Sequence, residues 1–177
     1  MKNIVYFDLE TQKSAQDVGG WGNKDKMGLS VGVTYSTARA GYQVYGESQV
    51  ESLIDELQRA DLVVGFNHIG FDYPVLEGYS IFDFSQVPSL DMLIEVNEAL
   101  GHKIPLDSIA QATFGCVKIA DGLQAIRWYR EGKLAEIAEY CLFDVKITKM
   151  VHEYGAEHGH LFYTDKFGKK RKVEVNW

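Results

Sequence analysis

Two carboxylates stand side by side where a strand ends. In MKNIVYFDLETQ, Asp8 and Glu10 close the apolar run Ile4-Val5-Tyr6-Phe7. Side chains two apart on a strand share a face, so these two point together while Leu9 points away. Like charges held that close repel each other. Such a pair shares a proton or holds a cation, unless the strand has simply reached solvent. Asp72, in VVGFNHIGFDYPVL, and Asp144, in YCLFD, are further carboxylates set into apolar stretches, and Tyr140 lies four residues before Asp144. Residues four apart on a helix stack one above the other, so the Tyr140 hydroxyl and the Asp144 carboxylate can address one point in space.

The elements that must position these groups follow from periodicity. A strand is expected at about 3–9, then a glycine-rich connection DVGGWGNKDKMG. Two more strands, LSVGVTYS and GYQVYG, turn around Ala38-Arg39-Ala40 and complete a three-strand meander. In ESQVESLIDELQRA, Val50, Leu53, Ile54 and Leu57 recur at helical spacing, and DLVVGFN reads as a further strand. The order is then β-β-β-α-β, with Asp72 just beyond the fourth strand, where parallel α/β sheets carry functional groups. Helical runs follow in SLDMLIEVNEAL, LDSIAQATFG and KLAEIAEYCLFDVKITKMVHEYGAEHG. In the last of these Leu134, Ile137, Ala138, Cys141, Leu142, Val145 and Ile147 outline an apolar face beside Asp144. Asp91 in SLDML is expected to cap or begin a helix. The end of the chain, HLFYTDKFGKKRKVEVNW, is half aromatic and half basic and suits a terminal hairpin.

With 177 residues, 46% apolar and 12% aromatic, the chain fits one core of ordinary size. No repeat, low-complexity linker or boundary interrupts it, so one domain over 1–177 is expected, with a basic tail at about 160–177. No apolar run approaches the ~18 residues of a membrane span, and no basic-then-apolar leader opens the chain. A cytoplasmic protein that makes no use of a membrane is the expectation. Cys116 and Cys141 lack metal-ligand spacing and read as buried thiols. A net charge of -7 excludes broad non-specific binding to nucleic acid while leaving room for a local site. HEYGAEHGH brings His152, His158 and His160 together but has Ala156 where HExxH needs histidine. GFNHIGFD lacks the Lys-Ser/Thr of a phosphate-binding loop, and DVGGWG lacks dinucleotide spacing.

DLET, NHIGFD and YCLFD, in that order on strand, strand end and late helix, resemble the three motifs of the DnaQ-like, ribonuclease H-like 3′-to-5′ exonucleases. More narrowly they resemble the DEDDy branch, whose third motif is Tyr-x-x-x-Asp, and its compact stand-alone domains. The likeness spans residues 4–150. It implies a ribonuclease H-like α/β fold, in which a central mixed sheet of an antiparallel meander plus parallel strands is flanked by helices. It also implies that Asp8, Glu10, Asp72 and Asp144 ligate two divalent cations while Tyr140 helps orient the attacking water. The chemistry agrees: two ions ~4 Å apart stabilise both the attacking and the leaving oxygen of a phosphodiester. Hard Mg²⁺ or Mn²⁺ suits an all-carboxylate site. A related branch uses a histidine five residues before the last aspartate. Here that position is Glu139, so Tyr140 takes the role, and with an ordinary pKa near 10 it positions water rather than deprotonating it.

In this family the terminal nucleotide lies beside the first motif, which makes Thr11, Gln12 and Trp21 candidate substrate contacts. Trp21 either stacks a base or packs locally, and Asn67 either bonds the nucleotide or closes the strand-to-loop turn. The partner implied is single-stranded DNA or RNA with a free 3′ end, with a polymerase or helicase as a candidate companion. Two other readings share the sequence: an inactive relative that only binds nucleic acid, and an internal-cutting ribonuclease H-like endonuclease.

Overall fold

A computed structural model describes residues 2–116 and 120–177. Five strands form one sheet: β1 (Ile4–Thr11), β2 (Leu29–Ser36), β3 (Gly41–Gly46), β4 (Leu62–Gly65) and β5 (Ser89–Asp91), in the order β3-β2-β1-β4-β5. The first three form the expected antiparallel meander, and β4 and β5 extend it in parallel beyond β1. Strand β1 is therefore central, and its two faces divide the core. Val5, Phe7 and Leu9 pack into one apolar cluster with α1 (Val50–Gln58) and α2 (Asp72–Leu76). Tyr6 packs into the other, beneath the long helix α6 (Leu134–His158). Asp8 and Glu10 continue the Tyr6 face, so strand alternation alone aims both carboxylates at α6.

The structure corrects the helical reading of SLDMLIEVNEAL. Ser89–Asp91 pairs with Val63–Gly65 as an edge strand, and the helix α3 begins only at Met92 and runs to Leu100. Three residues are too few for period two to show against a following helical pattern. FDYPVLEGY contains the short α2, and the glycine-rich connection holds a 3-10 segment, Trp21–Lys26. Two more helices, α4 (Leu106–Phe114) and α5 (Gly122–Arg130), precede α6; sequence reading placed α5 only within a helical region before Tyr140.

The end of the chain forms the hairpin β6 (His160–Thr164) with β7 (Lys170–Glu174). It is no loose tail. Leu161, Tyr163 and Val173 are buried in the α6-side core. Trp177 lies across Gly155, where a Cβ would meet its ring at 2.5 Å, and donates its indole N–H to the His152 carbonyl at 2.9 Å. The outer edge of β6 is covered by α4 hydroxyls: Thr113 bonds the Phe162 backbone at both N–H and C=O, and Ser108 does the same for Thr164. Covering an edge in this way blocks pairing with another chain.

Candidate active site

Helix α6 presents Ile137, Tyr140, Cys141, Asp144, Val145, Thr148 and Val151 as one buried stripe, the three-and-four spacing of a core-facing helix. Tyr140 and Asp144 occupy that stripe where it passes the end of β1. Oxygens of Asp8, Glu10 and Asp144 come within 4.8 Å of one another there. Glu10 and Asp144 are buried and Asp8 is half-buried. Three carboxylates this close and this far from water repel strongly unless protons or a cation intervene. An all-oxygen donor set of this kind fits a hard divalent ion, and ribonuclease H-like nucleases use divalent metals. The first residue of α5 also approaches, since a Cβ on Gly122 would stand 4.0 Å from Glu10 Oε2. The helix N-terminus thus adds its partial positive charge beside the Glu10 carboxylate.

Asp72 reaches the same cleft by a different route. The last β1–β4 pair is Tyr6 with Val64, so beyond it β1 has lost its partner on that side. The Asp72 carboxylate takes the vacant place and accepts the Leu9 N–H at 3.0 Å. It lies at the edge of the three-carboxylate cluster rather than within it. Burial raises its pKa to about 7, against the lowering effect of the Leu9 bond, and the charge of Asp91 adds to the rise. Asp91 itself caps α3 through Leu93 N–H, as sequence reading expected. It also accepts Asn67 N–H at 2.7 Å and Ile69 N–H at 3.1 Å, fixing the loop that leads to Asp72.

Tyr140 is buried, edge-on to Trp128. Burial pushes its hydroxyl well above the ordinary tyrosine value. The Asp144, Glu10 and Asp8 charges and a hydrogen bond to Asp144 add to the shift. The group stays protonated at every working pH, so it acts as a hydrogen-bonding hydroxyl and never as a base. Cys141 is the buried thiol expected from the sequence, but it has a further part. Its S–H lies 3.3 Å from the Asp8 carbonyl and 3.4 Å from Asp8 Oδ2, and burial followed by the neighbouring carboxylate charges raises its pKa. No spacing rule in the sequence exposes that contact, which depends on α6 crossing β1.

A cleft of about 690 Å³ opens from the carboxylates and is lined by Asp8, Glu10, Asp72, Tyr140 and Asp144. Of the candidate substrate contacts, Thr11, Trp21 and Asn67 also line it. Thr11 follows a register shift after Glu10 and gives its hydroxyl to the Lys13 carbonyl. Trp21 is 66% exposed, edge-on to Phe71. Asn67 adopts φ 67°, so it does close the strand-to-loop turn, with its side chain left on the wall. Gln12 departs from the expectation: its amide turns to the Leu29 carbonyl at 2.9 Å, packs against Gly28 and leaves the cleft. Lys13, Ser14 and Gln16, and Asp121–Leu123 at the start of α5, line the cleft without having been singled out. They carry no motif and arrive through loop and helix placement. A second cleft, of about 450 Å³, meets the first at Asp8, Phe66, Asn67 and Asp144 and runs out along Lys103–Asp107.

The sheet and the carboxylates at the end of its central strand define a ribonuclease H-like α/β protein. The model for the RNase_H superfamily matches residues 5–155, and the chain belongs to that superfamily. Comparison with curated proteins finds no match. Membership supports a nuclease-type function, with nucleic acid as the molecule to be bound. No helix among the described residues is long and apolar enough to cross a membrane.

Proposed function

We propose that the chain is a DEDDy-type 3′-to-5′ exonuclease that hydrolyses the terminal phosphodiester of single-stranded DNA or RNA. The observation that carries this reading is the meeting of Tyr140 and Asp144, one turn apart on α6, with Asp8 and Glu10 of β1 at the head of the larger cleft. In this reading Asp8, Glu10, Asp72 and Asp144 hold two Mg²⁺ or Mn²⁺ ions. The ions supply charge neutralisation for the pentacoordinate phosphorus and lower the pKa of water. The protein residues do the rest. Tyr140, kept protonated, orients the attacking water by hydrogen bonding. Cys141 steadies the Asp8 carboxylate, and Leu9 N–H steadies Asp72. Trp21, Thr11 and Asn67 flank the last nucleotide in the larger cleft, and the exposed indole of Trp21 offers a stacking face. The whole chain acts as one domain, and a polymerase or helicase is needed only as a source of 3′ ends.

Linear and circular single-stranded DNA and RNA, incubated with Mg²⁺ or Mn²⁺, test the reading. An exonuclease consumes the linear strands to mononucleotides and leaves the circles whole. Nicked circles would replace it with the endonuclease reading, and intact linear strands with the binding-only one.

A further inference from the structure

We propose that the terminal hairpin is a second nucleic-acid contact, gripping the single strand away from its reacting end. This rests on the exonuclease reading and adds a surface to it. The hairpin lies beyond residues 5–155, the part of the chain matched to the superfamily. Five of the chain's 18 lysines and arginines fall within Lys166–Lys172, in a protein of net charge -7. Two of the five are occupied, because Arg171 pairs with Asp165 and Lys172 with Glu174, each at 2.8 Å. Lys166, Lys169 and Lys170 have no carboxylate partner among the described residues. Two of these three stand over aromatic rings, Lys170 at 4.3 Å from Phe162 and Lys166 at 5.2 Å from Phe167.

The tip is also built to hold its shape. Asp165 accepts the N–H groups of Phe167 and Lys169 and the guanidinium of Arg171, and Gly168 takes φ 76° to complete the turn. That arrangement fixes Phe167 outward, 75% exposed, with lysines on both sides. Cationic side chains interleaved with an exposed ring make the surface that unpaired bases and phosphates bind. Its position fits a strand leaving the site. Thr164, at the base of the tip, bonds Ser108, and the adjoining Pro105–Asp107 line the smaller cleft that ends on Asp8 and Asp144. The basic groups before Tyr140 compete poorly for the role. Arg130 is paired with Asp17, Lys133 with Glu131, and Arg127 bonds Gln124, while Lys118 lies outside the described residues.

The test compares the parent with Lys166→Gln/Lys169→Gln/Lys170→Gln and, separately, with Phe167→Ala, an exposed position whose loss leaves the core intact. Fluorescence anisotropy on oligo-dT and oligo-U of about 4 and about 16 nucleotides gives affinity at several salt concentrations. Turnover of the p-nitrophenyl ester of thymidine 5′-phosphate reports the carboxylate site alone. The triple variant should bind the longer strands at least ~10-fold more weakly, and its log-log salt slope should flatten by about 2, from about 0.7 per lost phosphate contact. Phe167→Ala should weaken the longer strands roughly 5-fold or more, the value of one stacked base. Ester turnover should be unchanged in both. Parental affinity and salt slope on the longer strands, or equal weakening of short and long ones, would overturn the hairpin's role. If the parent hydrolyses neither ester nor strand, the exonuclease reading fails, and the anisotropy arms still decide whether the hairpin binds.

Discussion

Asp72 provides a direct test of how the cleft couples protons to metal. Its carboxyl carries a proton in the metal-free protein up to about pH 7, because burial outweighs the bond from Leu9 N–H. A cation held with its help must displace that proton. With a pKa of about 7, roughly one Asp72 in ten is ionised at pH 6 and nine in ten at pH 8. Apparent Mn²⁺ affinity should therefore rise about tenfold between those pH values, about 1.4 kcal/mol, from this one group. Asp72→Asn imitates the protonated acid and retains an oxygen for Leu9 N–H, so in metal-free buffer it should melt no lower than the parent. It should also remove the tenfold pH dependence along with nearly all hydrolysis. Isothermal titration of Mn²⁺ in two buffers of different ionisation enthalpy reads both affinity and released protons. Equal affinity at the two pH values, or full pH dependence retained by the Asp72→Asn variant, would refute the coupling.

Three other perturbations have defined outcomes. Tyr140→Phe deletes only the hydroxyl, so kcat should fall roughly 10- to 1000-fold with Mn²⁺ affinity little changed; an unchanged kcat would return Tyr140 to a packing role. Gly78→Ala puts a Cβ 2.0 Å from the Asp25 carbonyl, against the segment that carries Trp21. It should cost about 1–3 kcal/mol and raise KM, and a parental melting temperature would show the segment free to move. His68 is fully buried with neither ring nitrogen hydrogen-bonded, and burial lowers its pKa from 6.5 to about 4. Its neutral form stabilises the fold fully above pH 6.5, and that contribution is lost as the pH falls toward 4, by about 1.4 kcal/mol per unit. Denaturant titrations of the parent and His68→Leu should diverge by that slope, and parallel curves would exclude it.

Much of this site can be read from the sequence because it follows from two periodicities. Period two on β1 places Asp8 and Glu10 on one face, and spacing by four on α6 joins Tyr140 to Asp144. The sheet order could likewise be anticipated as far as β4. What stays hidden is whatever depends on how elements cross. The Cys141 thiol meets Asp8 only because α6 passes over β1, and Asp72 takes up Leu9 N–H only because β4 stops short. Gln12 sits beside the first motif, yet the Leu29 carbonyl claims its amide. The edge strand β5 is too short for a pattern, and the basic residues near the C-terminus give no hint that Ser108 and Thr113 dock the hairpin on α4.

The central claim, a carboxylate site acting from the 3′ end, is tested most directly by a single-stranded oligonucleotide labelled at its 5′ end and sampled over time with Mn²⁺. The account predicts a ladder that shortens one nucleotide at a time from the 3′ end with the parent, and an intact strand with Asp144→Asn. A label released at once as a mononucleotide, internal fragments appearing first, or the same ladder from the Asp144→Asn variant would contradict it.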